Sequence, residues 1–136
     1  MNSLRRMLYW IPAAAWAGTL FWMSNRPAGP GIPPWFLSHD KVTHALAFGF
    51  LAALCFLALR AGHRLRLPLA ALLAWGAATL YGGIDEIHQS FIPTRHPDWY
   101  DVLADATGAA LAAGALWVIG ASRMNRRPAS KPCVGK

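Results

Sequence analysis

Residues 42–59 read VTHALAFGFLAALCFLAL, a stretch without Asp, Glu, Lys or Arg. Lys41 directly precedes this stretch and Arg60 directly follows it. As an α-helix, a stretch of this length extends about 27 Å at about 1.5 Å per residue, close to the hydrocarbon thickness of about 30 Å in a bilayer. The stretch therefore predicts a transmembrane helix.

Three further runs repeat this pattern, and they cover residues 7–24, 67–84 and 102–122. Asp105 is the only charged residue within them. The chain is 55% hydrophobic and 14% charged, whereas a soluble domain is about a quarter charged. Buried helices of a soluble bundle are the alternative, but such helices carry a polar stripe that these runs lack. We therefore predict an all-α, polytopic membrane protein with four transmembrane helices.

The basic residues indicate how the predicted helices are oriented. All but three of the 13 Lys and Arg residues lie at the N-terminus, between the second and third runs, or at the C-terminus. These segments share one side of a four-span protein, and an excess of Lys and Arg marks the cytoplasmic side. We therefore predict a multi-pass protein of the cell (inner) membrane with both termini in the cytoplasm. This distribution by loop also argues against nucleic acid as the partner of a chain with net charge +7.

The chain shows no second domain and no internal repeat. We predict one membrane domain over residues 1–122, followed by a basic, disordered cytoplasmic tail over residues 123–136. The first connection, NRPAGPGIPPWFLSHDK at residues 25–41, is rich in Pro and Gly and predicts irregular structure.

The acidic residues gather at the opposite side from most of the basic ones. All six lie in or beside the two predicted outer loops: Asp40, Asp85, Glu86, Asp98, Asp101 and Asp105. Asp40 and His44 are four residues apart, as are Asp101 and Asp105, so each pair shares a helix face. Tyr81, Asp85 and His88 follow the same helical spacing. An ionisable group within a span costs about 2.5–3.5 kcal/mol unless it is paired or hydrated. We therefore expect His44 and Asp105 to face the bundle.

These groups have more than one interpretation. A buried salt-bridge network that holds four helices together would explain them without any chemistry, and a functional pocket is the alternative. The chain has no HExxH motif and no paired Cys, so we assign no metal ligand, although a divalent ion held by carboxylates stays an alternative. A nucleophile motif and a phosphate-binding loop are also lacking. The cofactor is left open.

Two stretches carry a resemblance to a known family: DKVTHALAF at residues 40–48 and DEIHQSFIPTRHPDWYDVLADATGA at residues 85–109. Their order and spacing resemble the VanZ-like family of small bacterial membrane proteins. The matching positions are Asp40, Lys41, His44, Asp85, Glu86, Gln89, Pro93, Arg95, Asp101, Asp105 and Gly108. Asp105 stands where many relatives carry Asn. The resemblance implies a role in the cell envelope, and the namesake of the family lowers sensitivity to the glycopeptide teicoplanin.

The mixture of residues suggests an enzyme, a transferase or hydrolase, that acts on lipid-linked phosphoesters at the outer leaflet. His44 would serve as general acid and base, and Arg95 with Lys41 would hold a phosphate. The predicted catalytic residues are His44, Asp85, Glu86 and Asp105. The predicted substrate-binding residues are Lys41, Tyr81, Gln89, Arg95 and Asp101. The expected partners are membrane lipids, polyprenyl-phosphate-linked envelope precursors among them.

Two other classes of function stay open. A non-catalytic membrane protein would bind envelope precursors, antibiotic or a partner without turning anything over. A transporter or proton path ranks lowest, because the charged residues lie at one membrane face and do not form a continuous path across the membrane. Whether the chain forms a homo-oligomer is also left open.

Overall fold

The computed structural model describes residues 2–26, 40–93, 95 and 97–126. Within these residues the chain forms five α-helices and no strand, which confirms the all-α prediction. The helices are α1 (Ser3–Leu8), α2 (Ile11–Ser24), α3 (Asp40–Ala61), α4 (Leu67–Gln89) and α5 (Trp99–Asn125). Most of the first connection and residues 127–136 of the predicted tail lie outside the described residues, and α5 continues to Asn125, past the predicted end of the domain.

Three of these helices are long and apolar enough to cross a membrane: α3, α4 and α5. Large apolar side chains also cover their outward faces, for example Leu46, Leu80 and Leu111, each about two-thirds exposed or more. In water such surfaces would be unfavourable, whereas in lipid they are the expected exterior. The chain is therefore a membrane protein.

The first apolar run differs from its prediction as one transmembrane helix. It divides into α1 and α2 at Tyr9 and Trp10, where Trp10 N donates to Met7 O in a tight turn. Pro12 explains the break, because it has no N–H to donate to the carbonyl of Leu8 and its ring crowds that carbonyl. The 14 residues of α2 extend about 21 Å, so the described residues contain three full-length spans and not four.

Helices α3 and α5 pack with their backbones in contact. A Cβ on Gly108 would lie 2.6 Å from Ala45 Cα, and a Cβ on Gly49 would lie 3.0 Å from Gly108 O. Small residues permit such an approach, which is the usual means of strong helix association in lipid. The contact fixes the rotation and height of the two helices that carry most of the polar groups.

Helix α2 lies alongside α3 and α4 and reaches both of their ends. Trp10 Nε1 donates to His63 Nε2 at 3.0 Å, beside the turn that joins α3 to α4. At the other end, His88 Nε2 lies 3.1 Å from Asn25 Oδ1. The C-terminus of α2 therefore lies at the same end of the bundle as the C-terminus of α4.

Candidate functional site

Three helix ends meet at one end of the bundle. The short turn between α3 and α4, and the connection from α4 to α5, make consecutive helices antiparallel, so the start of α3, the end of α4 and the start of α5 lie together. All six acidic residues of the chain lie in these segments.

His44 and Asp105 form the centre of this cluster. His44 Nδ1 lies 3.0 Å from Asp105 Oδ1, and the side chains are 17% and 1% exposed. Gly82 on α4 makes room for the carboxylate, because a Cβ there would overlap Asp105 Oδ2. That same Oδ2 is buried and has no hydrogen-bond partner among the described residues.

The second ring nitrogen of His44 faces two further carboxylates. His44 Nε2 lies 3.9 Å from Asp40 Oδ1 and 3.9 Å from Asp101 Oδ2. One ligand atom from each of these three residues lies within 4.8 Å of the others, so they could hold a divalent ion after a small contraction. A carboxylate on Nδ1, as Asp105 provides, is the usual support of a metal-binding imidazole.

Lys41 lies on the α5 side of the cluster, where its ammonium bridges two carboxylates. Nζ lies 2.5 Å from Asp98 Oδ2 and also contacts Asp101 Oδ1. The hydrogen bond from Lys41, together with the Tyr100 N–H, holds the pKa of Asp98 below its usual value. Because Asp98 and Asp101 already neutralise Lys41, holding a phosphate would require this residue to release one of them.

The carboxylates at the end of α4 have different partners. Gln89 Nε2 donates to Asp85 Oδ2 at 2.9 Å. Glu86 Oε2 accepts from Asp98 N at 2.8 Å, which ties the entry of α5 to the end of α4. Asp98 is the N-cap of α5, and its Oδ1 accepts from Tyr100 N at 2.9 Å. Glu86 therefore positions a helix, while Asp85 stays on the cavity side.

A cavity of about 140 Å³ lies between α2, α3, α4 and the connection after α4. Of the nine predicted site residues, four line it: His44, Asp85, Gln89 and Arg95. Asp101 and Asp105 reach it through His44, whereas Lys41 and Glu86 contact the start of α5. The structure thus brings His44, Asp85, Gln89 and Arg95 together in one hollow.

Arg95 and Tyr81 have different surroundings. Arg95 Nε donates to Arg26 O at 3.1 Å, and no carboxylate of the described residues lies within salt-bridge distance of its guanidinium. Tyr81 lies deeper, where its hydroxyl donates to Ala17 O at 2.7 Å and joins α4 to α2. It does not line the cavity.

Three polar residues of the cavity wall are not among the nine predicted site residues: Asp40, Thr43 and Ser24. Ser24 is the most buried of the three. It is 5% exposed, and its hydroxyl has no hydrogen-bond partner among the described residues. Thr19 on the same helix donates to the carbonyl four residues earlier, which is the common arrangement for a hydroxyl in a helix. Ser24 ends an apolar run, and no local pattern in the sequence shows that its hydroxyl is enclosed.

Comparison with known proteins agrees with the motifs. No curated protein and no solved structure shows a significant match to the chain. The family model VanZ/LLP1 matches residues 2–120, which includes α1 to α4, most of α5 and every residue of the cavity. The resemblance carried by the motifs is thereby confirmed, and the chain belongs to the VanZ/LLP1 family.

Proposed function

We propose that this protein is an inner-membrane enzyme that acts on phosphoester head groups of envelope lipids at the outer leaflet. The observation that carries the proposal is the His44–Asp105 contact of 3.0 Å at a cavity that Arg95 also lines. Lipids, including polyprenyl-phosphate-linked precursors, are the molecules that reach a membrane cavity at head-group depth.

The proposed topology has four crossings with both termini in the cytoplasm. Two observations support α1 and α2 as the fourth crossing: the Trp10–His63 and His88–Asn25 contacts lie at opposite ends of the bundle. The excess of Lys and Arg at the end that includes His63 favours the cytoplasm for that end. The cavity would then open toward the outer leaflet.

The proposed chemistry uses His44 as the group that moves a proton. Asp105 accepts a hydrogen bond from Nδ1–H, which leaves Nε2 free to take a proton from an attacking water or alcohol. A new P–O bond forms to that oxygen, the P–O bond to the leaving alcohol breaks, and Nε2 returns the proton to the leaving oxygen. Arg95 holds two phosphate oxygens and stabilises the charge that develops on them.

The test uses purified protein in nanodiscs with a panel of phospholipids and polyprenyl-phosphate lipids, and it analyses products by mass spectrometry. We expect turnover that His44→Ala reduces about a hundredfold or more, within the range for removal of a general base. His63→Ala is the matched control, since His63 lies at the opposite end of the bundle. No turnover across the panel, or full activity of His44→Ala, would contradict the proposal.

A non-catalytic binding protein is the second candidate. The observation that favours it is the neutralisation of Lys41 by Asp98 and Asp101, which leaves Arg95 as the available cation for a phosphate. Such a protein would bind envelope precursors, or a glycopeptide of the teicoplanin type, without product. Expression in a teicoplanin-sensitive bacterium separates the candidates: a binding role predicts that His44→Ala keeps any effect on sensitivity that the wild type confers.

A further inference from the structure

Among the described residues, neither carboxylate that lines the cavity pairs with a Lys or Arg, although Asp40 Oδ1 lies 3.9 Å from His44 Nε2. Asp40 and Asp85 both lie in the cavity wall, and neither is within salt-bridge distance of a Lys or Arg of the described residues. Lys41 is occupied by two other carboxylates, and the Arg26 guanidinium stacks 3.8 Å from the centroid of the Trp22 ring. A cation supplied by a ligand would relieve this imbalance, above all at Asp85, which is buried, because an uncompensated charge is costly at low dielectric.

The same cavity holds a guanidinium. Arg95 lines it as well and has no carboxylate partner of its own among the described residues. A purely cationic ligand would be repelled by this group, and a purely anionic one would be repelled by the two carboxylates. A ligand that carries both charges complements both sets of groups.

Ser24 provides an independent indication that a polar ligand enters the cavity. Its side chain is buried in the cavity wall, and its Oγ has no partner among the described residues. A buried hydroxyl without a partner is unusual. A ligand that donates or accepts a hydrogen bond at this position would satisfy it.

We propose that the ligand of this cavity is a zwitterionic lipid head group, with a primary ammonium at Asp85 and Asp40 and a phosphate at Arg95. The proposal rests on the proposed function, because it names the substrate class of the same site. The cavity of about 140 Å³ takes a head group, and the lipid chains stay in the bilayer. Aminoethyl phosphate lipids are the simplest class with this pattern of charge.

The test measures lipid binding to the purified full-length protein in detergent by native mass spectrometry. Its probes are a short-chain phosphatidylethanolamine and the matching N-acetyl lipid, which keeps the phosphate and loses the ammonium charge. We expect the ethanolamine lipid to bind about tenfold more tightly or better, the range for a hydrogen bond between charged groups. Asp85→Asn should reduce this preference to about onefold.

Two further variants keep the test interpretable. If Asp85→Asn does not fold, Asp40→Asn is used, because Asp40 is a half-exposed residue at the start of α3. The control is Asp98→Asn, which lies outside the cavity and retains a good N-cap. It should keep the preference of the wild type.

Equal binding of the two lipids, with both weakened by Arg95→Gln, would overturn the ammonium site and leave the proposed function standing. No binding of either lipid would overturn this proposal, whereas the proposed function would fall only if the turnover panel also gave no product. Free phosphoethanolamine that competes as well as the lipid would overturn the assignment to a lipid. Binding of both lipids that depends equally on added Mg²⁺ would place a metal ion at Asp40, His44 and Asp101 and overturn the proposal.

Discussion

Replacing Gly82 by alanine should disable the site without altering any of its polar groups. A Cβ at Gly82 would lie 3.1 Å from both Cβ and Cγ of Asp105 and would overlap its Oδ2, whereas carbon atoms pack at about 3.5–4.0 Å. The Asp105 carboxylate must therefore move by about 0.5 Å or more. The contact with His44 is 3.0 Å, and a displacement of this size takes it beyond hydrogen-bonding distance.

The expected loss follows from the type of contact. A hydrogen bond to a charged group contributes about 1.5–3 kcal/mol, which corresponds to about a 10- to 150-fold decrease in turnover. Stability should change little, because alanine gains up to about 1 kcal/mol of helix propensity over glycine and offsets part of the crowding. The assays are lipid turnover, a thermal melt, and ¹⁵N NMR of the His44 imidazole, whose Nδ1 signal reports the hydrogen bond directly.

Gly83→Ala is the matched control, because a Cβ there meets nothing within 4 Å. It gains the same propensity, so it should keep both turnover and the His44 signal. In a double-mutant cycle, Gly82→Ala should add little to Asp105→Asn, since both act on one contact. Full turnover of Gly82→Ala with an unchanged His44 signal, or additive effects in the cycle, would refute this reasoning.

Three further predictions test the packing, the electrostatics and the topology. Gly108→Ala should lower the stability by about 1–3 kcal/mol or abolish folding, because its Cβ would enter the backbone of α3. Gly114→Ala has open space around it and should not lower the stability, and thermal melts compare the two variants. The pKa of Asp98 in the folded protein lies below its usual value, so the stability that Asp98 contributes is present above about pH 4 and is lost as the pH falls further. Thermal melts from pH 5 to 3 should show a smaller decrease in melting temperature for Asp98→Asn than for the wild type. An equal decrease would contradict this prediction. In a chain without its native cysteines, Ser90→Cys should react with an impermeant thiol reagent in intact cells and Arg64→Cys only after permeabilisation; the reverse pattern would invert the topology.

The sequence was sufficient to predict which helix ends meet. Apolar runs of membrane length that follow one another through short connections must alternate in direction, so the order of the runs alone places Asp40, Asp85 and Asp101 at one end. The cost of an ionisable group within a span also indicated that His44 and Asp105 face the bundle, and the structure has them 3.0 Å apart.

The partners within the cluster could not be predicted in this way. Lys41 was expected beside Arg95, but it bridges carboxylates on and beside α5. That choice depends on the rotation of α3 against α5, which the contact at Gly108 determines and which no local pattern encodes. Tyr81 shares a helix face with Asp85, yet one turn of depth is enough to place its hydroxyl on α2.

The break in the first run has a signal in the sequence, which is Pro12. Pro12 lies in the first turn of α2, where proline is tolerated. A helix that begins at residue 7 places Pro12 in its second turn, where the missing N–H and the ring end the helix. Ser24 was missed for a different reason, since only the tertiary arrangement of α2 shows that its hydroxyl is enclosed.

The crossing of α3 and α5 has a consequence for how this site can change. His44 directly precedes Ala45, whose backbone touches Gly108, and Asp105 lies one turn before that glycine. The distance between the His44 and Asp105 side chains is thus set by the backbone contact of α3 with α5 and does not depend on the chemistry that the side chains supply. A carboxylate at position 105 could be exchanged for an amide while the frame around it stays in place, so the scaffold would permit new reactivity to evolve by single substitutions.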